Sequence, residues 1–416
     1  MSEETAAVPL LAPAGGVPPV VDSPGSLRAA VDALAAGTGP VAVDTERASG
    51  FRYSQRAYLV QLRREGTGTI LLDPIGIDDL AGLAAVLNPA EWVLHAASQD
   101  LPSLRELGLA PAALFDTELG GRLAGFERVG LGPLTEELLG YRLEKGNGAA
   151  DWSRRPLHAD WLIYVALDVE LLLPLAEAMA EELATQGKRT WADEEFEAVR
   201  TAGPPPPRVD PWRRTSGIHR IRKPRQLAGV RALWNAREDV ARRRDIAPGR
   251  VLPDSAILAA AVADPPDEAT LVQLPVFGGR GQRRRAATWL SALREARELP
   301  ADALPPVRVP VDGPPPVSRW EDRDPEAAGR LAAARGALTE IGDAHQVPLQ
   351  NLLQPDLVRR LAWEPPQPLS AATVDAALQV GGARHWQREL TATALAEALL
   401  TSRKITDPAP PAAPRG

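Results

Sequence analysis

The sequence predicts an α/β body built on a mixed sheet, followed by one or two small all-α domains. Three observations predict it. Short runs rich in Val, Ile and Leu fall within the first hundred residues, helical spacing dominates the later residues, and clusters of proline divide the chain. The 416 residues suffice for several domains, and a 44% hydrophobic content gives each a core.

The strand signals are VAVDTE (41–46), YLVQL (58–62), TILLD (69–73) and WVLHAA (92–97), each bounded by Gly, Pro or polar turns. Helical patterns lie at 26–36, 77–87, 100–107 and 161–182, so the last of these strands is reached through a helix and the sheet is mixed. Proline runs at 204–207, 305–316 and 408–414 cannot continue a helix or a central strand. The expected organisation is a disordered tail at 1–22, the α/β body at 23–200, a linker at 201–211, a helical domain at 212–298, a linker at 299–317, a second helical domain at 318–405 and a disordered tail at 406–416. Leu227, Val230 and Trp234 recur at i, i+3 and i+7, and Leu352, Leu353, Val358 and Leu361 have similar spacing, as in small bundles. The two helical domains resemble diverged copies of one unit too weakly to assert a repeat from the sequence.

Composition narrows the chemistry. The chain has no Cys, which excludes disulfides and thiolate chemistry, and its five His show no metal-ligand spacing, so any metal must be held by oxygen. No apolar run reaches the roughly 20 residues of a membrane helix, and residues 1–20 lack the pattern of a signal peptide, which points to the cytoplasm. The net charge of −7 argues, as an average, against a nucleic-acid partner. That average hides a segment, 208–250, with thirteen basic residues against four acids, a local charge of +9. Arg222, Lys223, Arg242, Arg243, Arg244 and Arg250 belong to it and form a candidate phosphate-binding patch. Removing the segment leaves −16 on the rest of the chain.

The acids fall in three places. Asp44 and Glu46 end an apolar strand, and alternation turns both to one face with Thr45 opposite. Two carboxylates this close repel, and a cation between them keeps both ionised. His95 and Asp100 bracket HAASQD, where a strand gives way to a helix, and Tyr164 and Asp168 stand one helical turn apart in WLIYVALDVELLL. Alone, each fragment also has an ordinary structural reading: a solvated strand end, a helix cap with a core histidine, or a buried acid with a partner.

Together, in the order D-x-E, H-x-x-x-x-D, Y-x-x-x-D, they resemble the tyrosine subclass of the DEDD 3′→5′ exonucleases. The flanking residues VAVDTE (41–46), HAASQDL (95–101), DTELGGRLAGF (116–126), DWSRRPL (151–157) and YVALDVELLLPL (164–175) resemble the ribonuclease D family. The resemblance implies a ribonuclease H-like fold and phosphodiester hydrolysis with two divalent ions, Mg²⁺ or Mn²⁺, held by Asp44, Glu46, Asp100 and Asp168, with Asp44 bridging. It implies that Tyr164 positions the attacking water and that nucleoside 5′-monophosphates leave from the 3′ end. Thr45, Arg47 and His95 adjoin the ligands and are expected to contact the terminal nucleotide, and Trp152, Arg154 and Arg155 to meet the incoming strand. The stretch 233–261, LWNAREDVARRRDIAPGRVLPDSAILAAA, resembles the HRDC module, which helps to grip nucleic acid; 318–405 is expected to be a divergent second copy.

The expected activity is a metal-dependent 3′→5′ exoribonuclease acting on tRNA precursors or other structured RNA with a free 3′ end. A DNA exonuclease in repair remains an alternative, because no device for reading the 2′-OH is visible. A catalytically idle nucleic-acid-binding scaffold is a third reading, disfavoured by the presence of all four acids and the tyrosine. The sequence contains no G-x₄-G-K-[ST] motor motif and does not set the oligomeric state.

Overall fold

The computed structural model describes residues 7–143, 150–309 and 313–406. Strands β1 (Val8–Leu10), β2 (Val20–Val21), β3 (Thr38–Arg47), β4 (Ala57–Glu65), β5 (Gly68–Leu72), β6 (Glu91–Leu94), β7 (Ala113–Asp116) and β8 (Tyr141–Leu143) form two sheets. The main sheet has the order β2-β5-β4-β3-β6-β7. β4 runs antiparallel to both β3 and β5, whereas β2, β6 and β7 pair parallel to their neighbours, which makes the mixed sheet that the strand order predicts. β1 and β8 form a separate parallel pair, so the expected 1–22 tail is structured at 8–10 and again at 20–21. The expected tail at 406–416 lies outside the described residues beyond Thr406.

Helices α1 (Pro24–Ala36), α2 (Ala81–Leu87), α3 (Leu101–Glu106), α4 (Thr117–Ala124), α5 (Leu131–Leu139), α6 (Ala159–Glu170), α7 (Leu172–Thr185) and α8 (Arg189–Thr201) complete the first body. The single helix expected at 161–182 is two, broken at Leu171. Pro174 explains the break: it has no N–H to donate, and its ring clashes with the carbonyl four residues back, at Glu170. The expected strand 92–97 stops at Leu94, because Ala96 takes a left-handed conformation (φ 62°) that no strand continues. The helix expected at 77–87 begins only at Ala81, whose N–H donates to Asp79 Oδ1 at 2.8 Å.

The second body contains α9 (Pro224–Arg244), α10 (Pro248–Val251), α11 (Asp254–Ala263), α12 (Glu268–Leu271), α13 (Arg280–Arg283) and α14 (Ala286–Glu298), and the third α15 (Trp320–Arg323), α16 (Pro325–His345), α17 (Leu349–Leu352), α18 (Pro355–Trp363), α19 (Ala371–Val380) and α20 (His385–Thr406). The two helical bodies open with a similar run of elements. α9 and α16 each span 21 residues from an opening proline, each ends on a left-handed cap (Asp245, Gln346), and each is followed by a four-residue helix and then a longer one. Among the described residues no helix is long and apolar enough to cross a membrane.

The two helical bodies attach differently. The second has its own core around Trp212, Leu233, Ile257 and Trp289. The third shares one continuous core with the α/β body. At the join Trp191 of α8 stacks on Trp386 of α20 (centroids 5.0 Å apart, 13° between planes), and Trp386 Nε1 donates to Glu195 at 3.1 Å. Gly125, at φ +87°, lies so close to Gln346 that an added Cβ would sit 2.8 Å from its carbonyl oxygen. Trp386→Ala is therefore expected to cost about 3–5 kcal/mol, and urea unfolding followed separately in the two bodies should show both losing stability together. An α/β body that unfolds at its wild-type urea concentration would contradict the shared core.

Candidate active site

The bulge between β3 and β4 sits where the first two acids emerge. Asp44 lies opposite Gln61 and Glu46 opposite Leu59, but Arg47 lies opposite Ala57, which leaves Tyr58 as the extra residue. Asp44 and Glu46 share one sheet face, and α6 crosses that face. Val165 and Ala166 of α6 pack with Leu59, Leu71 and Trp152, which sets the helix so that Tyr164 and Asp168 meet the strand acids. Carboxylate oxygens of Asp44, Glu46 and Asp168 lie within 4.8 Å of one another.

Asp100 stands beside this trio with partners of its own. Thr45 Oγ1 donates to its Oδ1 at 2.7 Å, and the Arg47 guanidinium lies 3.7 Å from the same oxygen. Its side chain makes no capping bond to α3, so the capping alternative is not realised. Asp116, which also caps α4, holds the preceding turn by accepting from the Ala96 and Ala97 N–H groups at 3.0 and 2.9 Å.

Burial, followed by mutual repulsion, sets the electrostatics. Burial pushes the Asp44 carboxyl well above the usual range, and the charges of Asp100, Asp168 and Glu46 push it further. Glu46 rises to about 9 through burial and then the charges of Asp168 and Asp100. Asp168 rises to about 7 through burial, partly offset by Tyr164. Asp100 rises to about 6, again through burial, held back by Thr45 and Arg47. Burial and the three acids Asp168, Glu46 and Asp44 raise the Tyr164 phenol, which keeps its proton. Burial lowers His95 to about 4, so its ring is neutral, with Nδ1 2.9 Å from Thr117 Oγ1. An all-oxygen cluster with so much unbalanced negative charge fits hard divalent cations such as Mg²⁺ or Mn²⁺.

A cleft of about 880 Å³ opens over these groups, lined by Asp44, His95, Tyr164 and Asp168 on one side and by Arg128, Leu131, Pro133 and Arg142 on the other. Past Arg128 and Arg142 it meets a second cavity of about 990 Å³ that reaches Gly125 and Gln346. The lining from α5 and its flanks carries no motif, and only the fold brings it to the acids.

Several expected contacts take other places. Trp152 is fully buried and packs on Trp161 (centroids 5.2 Å apart), so it is core and not open to a strand. Arg155 is engaged by Asp73 and by the Tyr58 and Trp152 carbonyls, which fixes the loop before α6. Arg154 pairs with Asp151 at 3.2 Å. Thr45 is buried on Asp100. In the basic patch Arg222, Lys223, Arg243 and Arg244 are exposed on the second body. Arg242 and Arg250 are exposed as well but also face the loop after β3: Arg242 lies over Tyr53, while Arg250 lies over Phe51 and donates to the Gly50 carbonyl at 2.7 Å.

Comparison with known proteins places the chain. Residues 19–184 match the family model described as 3′-5′ exonuclease, 226–293 the HRDC domain, and 313–399 the 3′ to 5′ exonuclease C-terminal domain. Ribonuclease D of Acidiphilium cryptum is 31% identical over 358 residues, 83% of this chain and 87% of that protein. The chain belongs to the ribonuclease D family. A crystal structure of a protein from Bifidobacterium adolescentis matches with a TM-score of 0.88 at 36% identity, over 95% of this chain and all of that one. That of Escherichia coli RNase D, described as an exoribonuclease involved in structured RNA processing, matches at 0.67 and 26%, over 93% and 99%. This ribonuclease D family member is a 3′–5′ exonuclease. Its third body matches the exonuclease C-terminal domain where the sequence suggested a second HRDC copy.

The charge cluster makes stability depend on pH when no cation is present. Each acid has a folded pKa above its unfolded value, so the folded state holds more protons between the two. That stability is present below about pH 4 and is lost as pH rises through about 6 for Asp100, about 7 for Asp168 and about 9 for Glu46. In EDTA the melting temperature should fall between about pH 5 and 9, and Glu46→Gln should flatten the upper part of that fall. A variant that loses as much as wild type would contradict the assigned repulsion.

Proposed function

We propose that the chain is a metal-dependent 3′→5′ exoribonuclease that releases nucleoside 5′-monophosphates from tRNA or other structured RNA in the cytoplasm. The observation that carries this reading is the meeting of Asp44, Glu46 and Asp168 within 4.8 Å at the base of an open cleft, with Tyr164 beside them. Bound there, two divalent ions would supply the positive charge that a phosphodiester needs in its transition state and make water acidic enough to attack at neutral pH.

The chain's own groups do the rest. Asp44, Glu46 and Asp168 would hold the ions, and Asp100 would join them with an orientation set by Thr45 and Arg47. Tyr164 keeps its proton, so it acts as a hydrogen-bond donor and acceptor that orients water rather than as a base. Neutral His95 lines the cleft and offers the terminal nucleotide a ring without charge. Hydrolysis breaks the bond from phosphorus to the 3′ oxygen, leaving a new 3′-hydroxyl on the shortened strand and phosphate on the released nucleoside. The exposed Arg222, Lys223, Arg243 and Arg244 hold the backbone of the same strand outside the cleft.

The test is digestion of a 3′-tailed tRNA precursor and of matched single-stranded RNA and DNA, with Mg²⁺ or Mn²⁺ and products resolved. Wild type should shorten RNA from the 3′ end to monophosphates, Asp168→Ala should reduce the rate by at least about a thousandfold, and Tyr164→Phe by about 10²-fold with cation binding retained. Equal turnover of a folded Asp168→Ala variant would contradict the site. Preferential digestion of DNA would move the substrate to the repair alternative.

A further inference from the structure

The hydrolytic mechanism leaves the buried amide of Gln61 without a role. Gln61 stands on β4 directly opposite Asp44, in an antiparallel pair whose side chains share one face with Cβ atoms roughly 4.5–5.5 Å apart. Its other ladder neighbour is Leu71, and Leu59 precedes it on the same face; both are fully buried. Gln61 itself has 0% exposure, yet neither Oε1 nor Nε2 has a hydrogen-bond partner. Amides do not stay in an apolar setting for packing alone: Met or Leu would fill the volume without stranding two polar atoms. Of these neighbours all but Asp44 are apolar.

We propose that Gln61 is a positioning residue for the divalent-cation site: its Nε2, without a partner in the cation-free chain, donates to one Asp44 carboxylate oxygen once a cation engages the other. This rests on the reading that Asp44, Glu46 and Asp168 bind divalent cations. A carboxylate held from behind keeps its other oxygen on the ion, which is how an outer partner raises the affinity of a ligand. Asp100 already carries such a donor in the cation-free structure, Thr45, at 2.7 Å. Two of the four acids then carry a neutral donor from the neighbouring sheet residues, one on each face of β3. Neither donor brings charge, so neither competes with the cation for it.

The test uses the full chain with Gln61→Met and Gln61→Leu, apolar replacements of similar volume. Mn²⁺ affinity is measured by titration calorimetry at about pH 8, and melting is measured in EDTA. Both variants should melt at or above the wild-type temperature in EDTA, because a stranded amide has been removed, and should bind Mn²⁺ about 10–100-fold more weakly. Mn²⁺ affinity within twofold of wild type in either folded variant overturns the proposal. So does a melting point well below wild type for both in EDTA, which would make Gln61 a structural amide. A wild-type chain that binds no Mn²⁺ overturns the cation site itself, an outcome separate from a failure confined to Gln61.

Discussion

Repulsion among four buried carboxylates is the constraint on which the rest of this structure depends. Asp44 and Glu46 share a strand face, Asp168 is brought down on them by α6, and Asp100 closes in from the start of α3. A protein selected for stability alone would not assemble them, because burial raises every one of their pKa values and the charges of the neighbouring acids raise those of Asp44 and Glu46 further. The surroundings are built to hold them in spite of this. The core of Leu59, Leu71, Val165 and Ala166 pins α6 to the sheet. Arg155 braces the loop before that helix against Asp73, and Asp116 locks the turn that leads to Asp100.

The same constraint gives meaning to the two helical bodies. The third body shares its core with the α/β body through Trp191 and Trp386, and its Gln346 bounds the outer end of the cleft system, so the two form one structural unit. The HRDC body is attached through the loop that follows the strand carrying Asp44 and Glu46. Asp245, the left-handed cap of α9, accepts from the Tyr53 and Ser54 N–H groups at 3.1 and 2.8 Å, and the Ala247 N–H donates to the Phe51 carbonyl at 3.0 Å. The loop that receives the HRDC body is thus covalently continuous with Asp44 and Glu46.

Much of this was legible in the residues. Strand alternation puts Asp44 and Glu46 on one face, and helical spacing puts Tyr164 and Asp168 on another, because both rules depend only on local backbone geometry. What escaped depends on contacts between distant segments. Trp152 and Arg155 lie in a polar loop that looks exposed until the fold buries one and pairs the other. Counting charge finds the basic segment but cannot show that Arg242 and Arg250 face Tyr53 and Phe51. The short strand at Val8–Leu10 exists only because β8 lies beside it. Gln61 left one local sign, a lone polar residue inside YLVQL, whose meaning appears only when the register sets it opposite Asp44.

If a cation resolves the repulsion, its binding must expel protons, and counting those protons is the direct check. Glu46 and Asp168 have folded pKa values of about 9 and about 7, so at neutral pH the cation-free site holds protons that a bound cation displaces. Calorimetric titration of the wild-type chain with Mn²⁺ at pH 7, repeated in buffers of different ionisation enthalpy, gives the number released. Saturable binding of two ions is expected, with a net release of about one proton or more, shrinking as pH approaches 9. Binding with no release of protons at pH 7 would contradict the role of the cation, because the four acids would then be ionised together with nothing between them.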